Sequence, residues 1–234
     1  RQDQGSHTDM DIFTFNASAA ALAPYFRKCY LAGIQDQDES EETAFLHLQS
    51  LGIEAERVMR LATGNVNTHK GAIFTLGIMC GAAGRCGKHD LEIWMDTCAR
   101  LAAIKRGPGV RAEVGEGLPS VRKIGLPVFA KARISGLSFN GQCLMVLLHL
   151  LSEVRDTNMI ARGGEETADA SRNAARKMIE TLDGRVSEEK LLAVMNELNE
   201  QYISRHLSPG GCADLLAATL LADRWLIGKY ASKG

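Results

Sequence analysis

The sequence has almost no net charge, with 27 lysines and arginines against 28 aspartates and glutamates in 234 residues. No overall field draws such a chain to nucleic acid or to an anionic membrane, so neither is expected as a partner. A long apolar run is also missing. The longest, 143–151, is interrupted by His149 and falls far short of the roughly 20 residues that span a bilayer. No signal peptide opens the chain, which makes a cytoplasmic location the expectation. Alternating apolar and polar residues, the pattern of half-buried strands, are nearly absent.

Cysteine is present but unclustered. Cys29, Cys80, Cys86, Cys98, Cys143 and Cys212 are scattered through helix-like apolar stretches, without the dense spacing of a secreted disulfide framework, and read as reduced core residues. Cys80, Cys86, His89 and Cys98 make a poor zinc set, because no C-x2-C pair exists and Cys98 falls in the next helical segment. The stretch 82–88 approximates a phosphate-binding P-loop, but His89 stands where Ser or Thr is needed and no strand precedes it. Its glycines are better read as a helix end.

What is present is helical periodicity. It predicts helices over 9–33, 40–62, 68–86, 90–106, 137–160, 165–182, 187–204 and 209–230, and hence an all-α chain forming a single compact multi-helix catalytic domain over 1–234. Residues 137–151 are apolar nearly all round, which predicts a central buried helix with His149 as a hydrogen-bonded core residue. Ser187 followed by Glu188 and Glu189 is an N-cap with acids in the first turn, and Gly184 reads as the end of the preceding helix. Between 106 and 127, Pro108, Pro119, Pro127 and five glycines argue for a long loop of functional type.

Several segments suit phosphate chemistry. In Gly64-Asn65-Val66-Asn67-Thr68-His69-Lys70-Gly71, Asn67 or Thr68 falls where an N-cap belongs; the reading is either an ordinary cap with a solvated lysine or an anion site. Ser208-Pro209-Gly210-Gly211 offers a cap, a first-turn proline and two glycines whose helix-weakening cost suggests a close approach to the backbone. Arg162-Gly163-Gly164 is a third glycine-softened helix start, just beyond Asp156 and Asn158. Asp156 beside Arg155 reads as a metal ligand, a base or a plain surface pair, and the loop acids Glu113 and Glu116 carry the same ambiguity. His7-Thr8-Asp9-Met10-Asp11 is either a cap with favourable acids or a cluster for a divalent cation.

Taken together, His7-x-Asp9-Met10, the segment from Gly64 through Asn67-Thr68-His69-Lys70-Gly71 to Phe74, Asp156-Thr157-Asn158, Arg162-Gly163-Gly164 and Ser208-Pro209-Gly210-Gly211-x-Ala213-Asp214-Leu215-Leu216 resemble the signature segments of the triphosphoribosyl-dephospho-coenzyme A synthases, in the same order. Gly109-Val110-Arg111-Ala112-Glu113 with Gly117-Leu118-Pro119 is similar to that family's Arg-Gly-Glu and Gly-Phe-Pro region, with Ala112 and Leu118 as departures. The family's additional N-terminal helix and its Pro-Lys-Pro-Gly stretch have no counterpart here, so the chain reads as lacking the family's N-terminal segment.

The resemblance implies a transferase that moves the triphosphoribosyl group of ATP onto the 2'-hydroxyl of 3'-dephospho-CoA and releases adenine, with magnesium as the expected ion. It implies that 67–71, Arg111, Asn158, Arg162, Gly163, Gly164, His7, Ser208, Gly210 and Gly211 meet the phosphates. Asp9, Asp156 and Glu113 are then the catalytic candidates, and Asp9, Asp156 and Asp214 the metal candidates. The product feeds an acyl-carrier-protein prosthetic-group pathway, that of citrate lyase or malonate decarboxylase, and a homodimer is compatible with the reading. Two other readings stand beside it: a magnesium-dependent ADP-ribosyl hydrolase, and a non-catalytic helical nucleotide-binding or scaffold relative.

Overall fold

The first turns of an α-helix leave backbone N–H groups without partners, and short polar side chains are the usual remedy. This chain uses that remedy repeatedly. Asp11 accepts from Thr14 N–H, Ser40 from Thr43, Asp90 from Ile93, Ser138 from Gly141 and Ser187 from Lys190. The computed structural model describes residues 4–87, 89–182 and 186–231. It is all-α, with no strand among the described residues. The helices are α1 (Ile12–Gln35), α2 (Glu41–Ala62), α3 (Lys70–Cys86), α4 (Leu91–Ala103), α5 (Val110–Gly115), α6 (Leu126–Ile134), α7 (Phe139–Glu153), α8 (Thr157–Thr181), α9 (Glu188–Ser204) and α10 (Gly210–Ala231); a π-helical turn, Val121–Gly125, runs directly into α6. Gly184, read from sequence as a helix end, lies outside the described residues.

Contacts gather the chain into two compact units. One holds residues 9–118 and 220–231, and is called here the α1–α5 unit. Its axis is α3, buried along nearly its whole length from Ala72 to Gly84. Close approach of α1 to α3 is possible because glycine stands at the crossing: a β-carbon on Gly33 would lie 1.9 Å from the carbonyl oxygen of Gly81. Tyr25 donates to Ile73 O at 2.9 Å, and the indole N–H of fully buried Trp94 donates to Met79 O at 2.8 Å. Both bonds give α3 carbonyls partners from neighbouring helices. Gly87, at φ 57°, ends α3 in the left-handed conformation, so the P-loop-like stretch is a helix end.

The other unit holds residues 4–8 and 119–219, called here the α6–α9 unit. Here α7 is central, packed against α6, α8, α9 and the π turn, and His149 Nδ1 hydrogen bonds Met145 O at 2.9 Å one turn back. The expected helix 137–160 is in fact two. Glu153 ends α7, the backbone turns extended at Val154, and Asp156 caps α8. The helix expected from 165 therefore starts at Thr157, and Gly164 at φ 80° and ψ 172° breaks it internally. The span 106–127 is not wholly loop either: α5 and the π turn occupy part of it. Pro127 sits in the first turn of α6, where its missing N–H costs nothing, so a proline taken as a breaker marks a helix start.

The α1–α3 crossing gives a direct test. Gly33→Ala is expected to destabilise the protein by about 3 kcal/mol, because backbone must move to admit the methyl group. Gly52→Ala, whose added β-carbon would meet Tyr25 Oη at an ordinary 3.5 Å, is expected to be neutral or to stabilise by up to about 1 kcal/mol through helix propensity. Urea denaturation of both variants checks the contrast.

Candidate functional site

In the α1–α5 unit the candidates collect at the start of α3. The cap position is His69, one or two residues beyond those expected, and its side chain caps nothing; Asn67 Oδ1 still supplies an acceptor, taking Lys70 N–H at 3.3 Å. Thr68 and His69 turn inward instead. Thr68 Oγ1 donates to Ser18 Oγ at 2.7 Å, Ser18 Oγ lies 2.9 Å from His69 Nδ1, and Nδ1 lies 3.0 Å from Thr68 Oγ1. The Phe15 ring meets the imidazole edge-on at 5.1 Å. Burial holds the His69 pKa below its usual value, which keeps the ring neutral. Lys70 Nζ is 3.4 Å from Glu56 Oε2 with half of its side chain exposed, a pairing loose enough to open toward an anion. Gly71 follows in the first turn of α3.

One loop cation reaches the same region. Arg111, on α5, lies over the Phe74 ring at 4.3 Å, a cation–π contact one helical turn from Lys70. Half-buried Glu113 shares that short helix, and its carbonyl accepts Leu118 N–H at 2.7 Å. Asp9 is exposed. The acid that caps α1 is Asp11, bonded to both the N–H and the hydroxyl of Thr14 at 2.8 Å, and those bonds lower its pKa.

In the α6–α9 unit the candidates converge on one carboxylate. Asp156 is only 3% exposed. Its Oδ1 accepts Asn158 N–H at 2.8 Å and Met159 N–H at 3.3 Å, capping α8. Its Oδ2 accepts Cys212 N–H at 2.9 Å, capping α10. A buried anion shared by two helix N-termini is stabilised by three donors and by both dipoles. It also explains Gly210 and Gly211: β-carbons there would lie 2.9 Å from Asn158 Nδ2 and 3.0 Å from Asp156 Oδ2. The close approach those glycines permit is made by the chain's own side chains. The N–H groups of Gly210 and Gly211 form no hydrogen bond among the described residues.

Asp214 lies one turn further along α10. Burial, and then the charge of Asp156, push its pKa up to about 7, well above an ordinary carboxylate. Around them, His7 Nε2 is 2.9 Å from Ser208 Oγ, Ser6 donates to the Leu207 carbonyl, and Arg162 Nη1 donates to His206 O at 3.3 Å. Gly163 is pressed against Leu207, where a β-carbon would come within 2.7 Å of its methyl carbon, and exposed Gly164 supplies the break in α8. Arg155, the suspected partner of Asp156, pairs with Glu165 on the surface. His7 and Ser208 also edge a half-open cavity of about 180 Å³ walled by Leu147, Leu151, Met195 and Leu198.

No group of three or more His, Cys, Asp or Glu side chains placed to hold a metal ion occurs among the described residues. Both oxygens of Asp156 are already engaged by backbone donors, which does not suit the residue to be a magnesium ligand. Sequence reasoning missed Ser18, because only the α1–α3 crossing brings it to residues 50 positions away. It also missed the helix break at Asp156, although Asp-Thr-Asn after an apolar run is an N-cap pattern.

The sequence model of the ATP:dephospho-CoA triphosphoribosyl transferase family matches residues 1–106 and 95–231. A Photobacterium profundum protein named "Probable 2-(5''-triphosphoribosyl)-3'-dephosphocoenzyme-A synthase" is 35% identical over 244 residues, covering 93% of this chain and 77% of that protein. The 2-(5''-triphosphoribosyl)-3'-dephosphocoenzyme-A synthase of Klebsiella pneumoniae is 32% identical, covering 93% and 80%. That of Pectobacterium atrosepticum is also 32% identical, covering 100% and 82%. No solved structure matches. Among the described residues no helix is long and apolar enough to cross a membrane.

Asp156→Asn would turn an amide N–H₂ toward one set of backbone donors whichever way it rotates. The expected loss is about 2–3 kcal/mol of stability, read by urea denaturation. For Asp214 the folded state favours the protonated form, so its stabilising contribution is complete below the ordinary carboxylate value of 3.8 and is lost as pH rises toward about 7. Asp214→Asn is therefore expected to gain in Tm relative to wild type as the pH of a thermal-melt series is raised through that window. A difference that does not change with pH would show that Asp214 is ionised throughout.

Proposed function

We propose that this chain, which belongs to the ATP:dephospho-CoA triphosphoribosyl transferase family, transfers the triphosphoribosyl group of ATP to the 2'-hydroxyl of 3'-dephospho-CoA and releases adenine. The observation that carries the reading is the family match, which runs through both compact units and includes every candidate segment. The chain acts as a cytoplasmic enzyme. Its product serves the acyl-carrier-protein prosthetic-group pathway downstream, and a homodimer is compatible with this role.

The reaction breaks an N-glycosidic bond while leaving the triphosphate whole, so positive charge develops at the ribose carbon and a proton must leave the acceptor hydroxyl. Asn67, Thr68, His69, Lys70, Gly71 and Arg111 supply donors and cations for phosphate in the α1–α5 unit. In the α6–α9 unit, Arg162 and the free N–H groups of Gly210 and Gly211 supply them, with His7, Asn158, Gly163, Gly164 and Ser208 shaping the same region. Asp214, held near neutrality, is suited to take the hydroxyl proton. Asp156 keeps the α8 and α10 N-termini in place, and Asp9 and Glu113 are the acidic candidates of the α1–α5 unit. The cavity beside His7 and Ser208 is too small for a whole nucleotide, since drug-sized ligands need roughly 300 Å³ or more, and suits the departing base. Magnesium carried by the triphosphate would neutralise part of the charge that Lys70, Arg111 and Arg162 are suited to meet.

Incubation of the purified protein with ATP, 3'-dephospho-CoA and magnesium is expected to release adenine and yield a coenzyme product heavier by one triphosphoribosyl group. Chromatography and mass spectrometry read both. Release of ADP-ribose from an ADP-ribosylated substrate would identify a hydrolase instead, and bound ATP without turnover a non-catalytic relative. Lys70→Ala is expected to raise the KM for ATP by about tenfold, the loss of one charge-assisted contact, with a smaller change in kcat.

A further inference from the structure

The contacts between α1 and the start of α3 fix more than packing. Ser18 is fully buried on α1, where a helical serine commonly bonds back to its own helix. Here both of its hydrogen bonds among the described residues run across to Thr68 and His69. Thr68 has one hydroxyl hydrogen and gives it to Ser18 Oγ. The Ser18 hydrogen then has one acceptor in reach, His69 Nδ1 at 2.9 Å, and a buried hydroxyl left unmade would be costly. Nδ1 is therefore the acceptor nitrogen, and the ring proton resides on Nε2. Burial disfavours the imidazolium, so the state fixed is a neutral ring with a single N–H. Nε2 makes no bond among the described residues and is not an enclosed atom.

We propose that Ser18, itself relayed by Thr68, is a positioning residue that holds His69 as the Nε2–H tautomer, so that a fixed neutral donor rather than an acceptor faces the triphosphate of the substrate. This rests on the reading of 67–71 as a phosphate-binding segment. The physical gain is that an imidazole free to choose its tautomer would present a lone pair to an anion part of the time, and that fraction would repel it. Holding the proton on Nε2 removes that state in advance, without the desolvation cost of burying a second cation beside Lys70.

The test begins with the unaltered full chain. Long-range ¹H–¹⁵N correlation of ¹⁵N-histidine-labelled protein, with His69 assigned by comparison with His69→Gln, is expected to show Nε2 protonated and Nδ1 with the shift of an unprotonated acceptor. A proton on Nδ1 would overturn the proposal without any variant being made. Ser18→Ala combined with Thr68→Val, which removes both hydroxyls within reach of Nδ1, is expected to give tautomer-averaged shifts and a KM for ATP raised about three- to tenfold relative to Thr68→Val alone, with kcat little changed, the scale of one net hydrogen bond. Ser18→Thr, which keeps the hydroxyl, is expected to match the unaltered protein in both. An unchanged tautomer in the double variant would overturn the positioning role. A shifted tautomer with unchanged ATP affinity would leave the tautomer control standing and refute the phosphate contact, so the two failures are told apart.

Discussion

A carboxylate that is 97% hidden from water has to find its solvation inside the protein, and Asp156 finds it in the backbone of two helices at once. The bond network settles several features that look separate in the sequence. It sets where α7 must stop, because Asp156 needs extended backbone to point its side chain at the N–H groups of Asn158 and Met159. It favours small residues in the α10 first turn, because β-carbons at 210 and 211 would crowd Asn158 Nδ2 at 2.9 Å and Asp156 Oδ2 at 3.0 Å. It also adds to the burial that raises the pKa of Asp214, whose ionisation would place a second negative charge beside the first.

The α1–α5 unit answers a related demand by a different route. Its central helix α3 is buried almost throughout, and neighbours that crowd it need a surface without side chains. Gly33 against Gly81, and Gly84 against the Tyr30 carbonyl, bring the α1 and α3 backbones into direct apposition. That apposition carries Ser18 to the start of α3. Local structure, packing and the Ser18–Thr68–His69 contacts are thus successive consequences of where glycine stands.

These relations mark how far the sequence could be read. Helices 40–62, 68–86 and 187–204 were legible almost to their ends, since amphipathic spacing and Ser or Asp caps are local signals. The pairing of α6 with its leading π turn was not, because prolines and glycines at 106–127 outweighed the weak periodicity of 126–134. The residue types of the candidate site were legible as a set, yet their roles were not. Gly210 and Gly211 read as room for a ligand, and the structure fills that room with Asn158 and Asp156. Asp156 read as a catalytic or metal-binding acid, and the structure gives both its oxygens to backbone donors. The Oδ1 cap of α8 is local, but the Cys212 N–H on Oδ2 and the side chains packed on Gly210 and Gly211 come from 50 or more positions away, which no local pattern encodes.

Two aspartates, one whose oxygens take three N–H donors and one whose pKa is pushed up to about 7 by burial and then by the first, differ through environment rather than through chemistry. A base that gathers a hydroxyl proton works best when its pKa lies close to the ambient pH, so that it is both available and strong enough. An ordinary exposed aspartate is too weak for that role. Burial raises its pKa, and a neighbouring negative charge raises it further. The three backbone donors that meet Asp156 cannot be withdrawn without unwinding the first turns of α8 and α10. The helix starts of α8 and α10 therefore hold Asp156 in place, and Asp156 adds to the burial that raises the pKa of Asp214. Substitution at any of the three places is then expected to be felt at the other two.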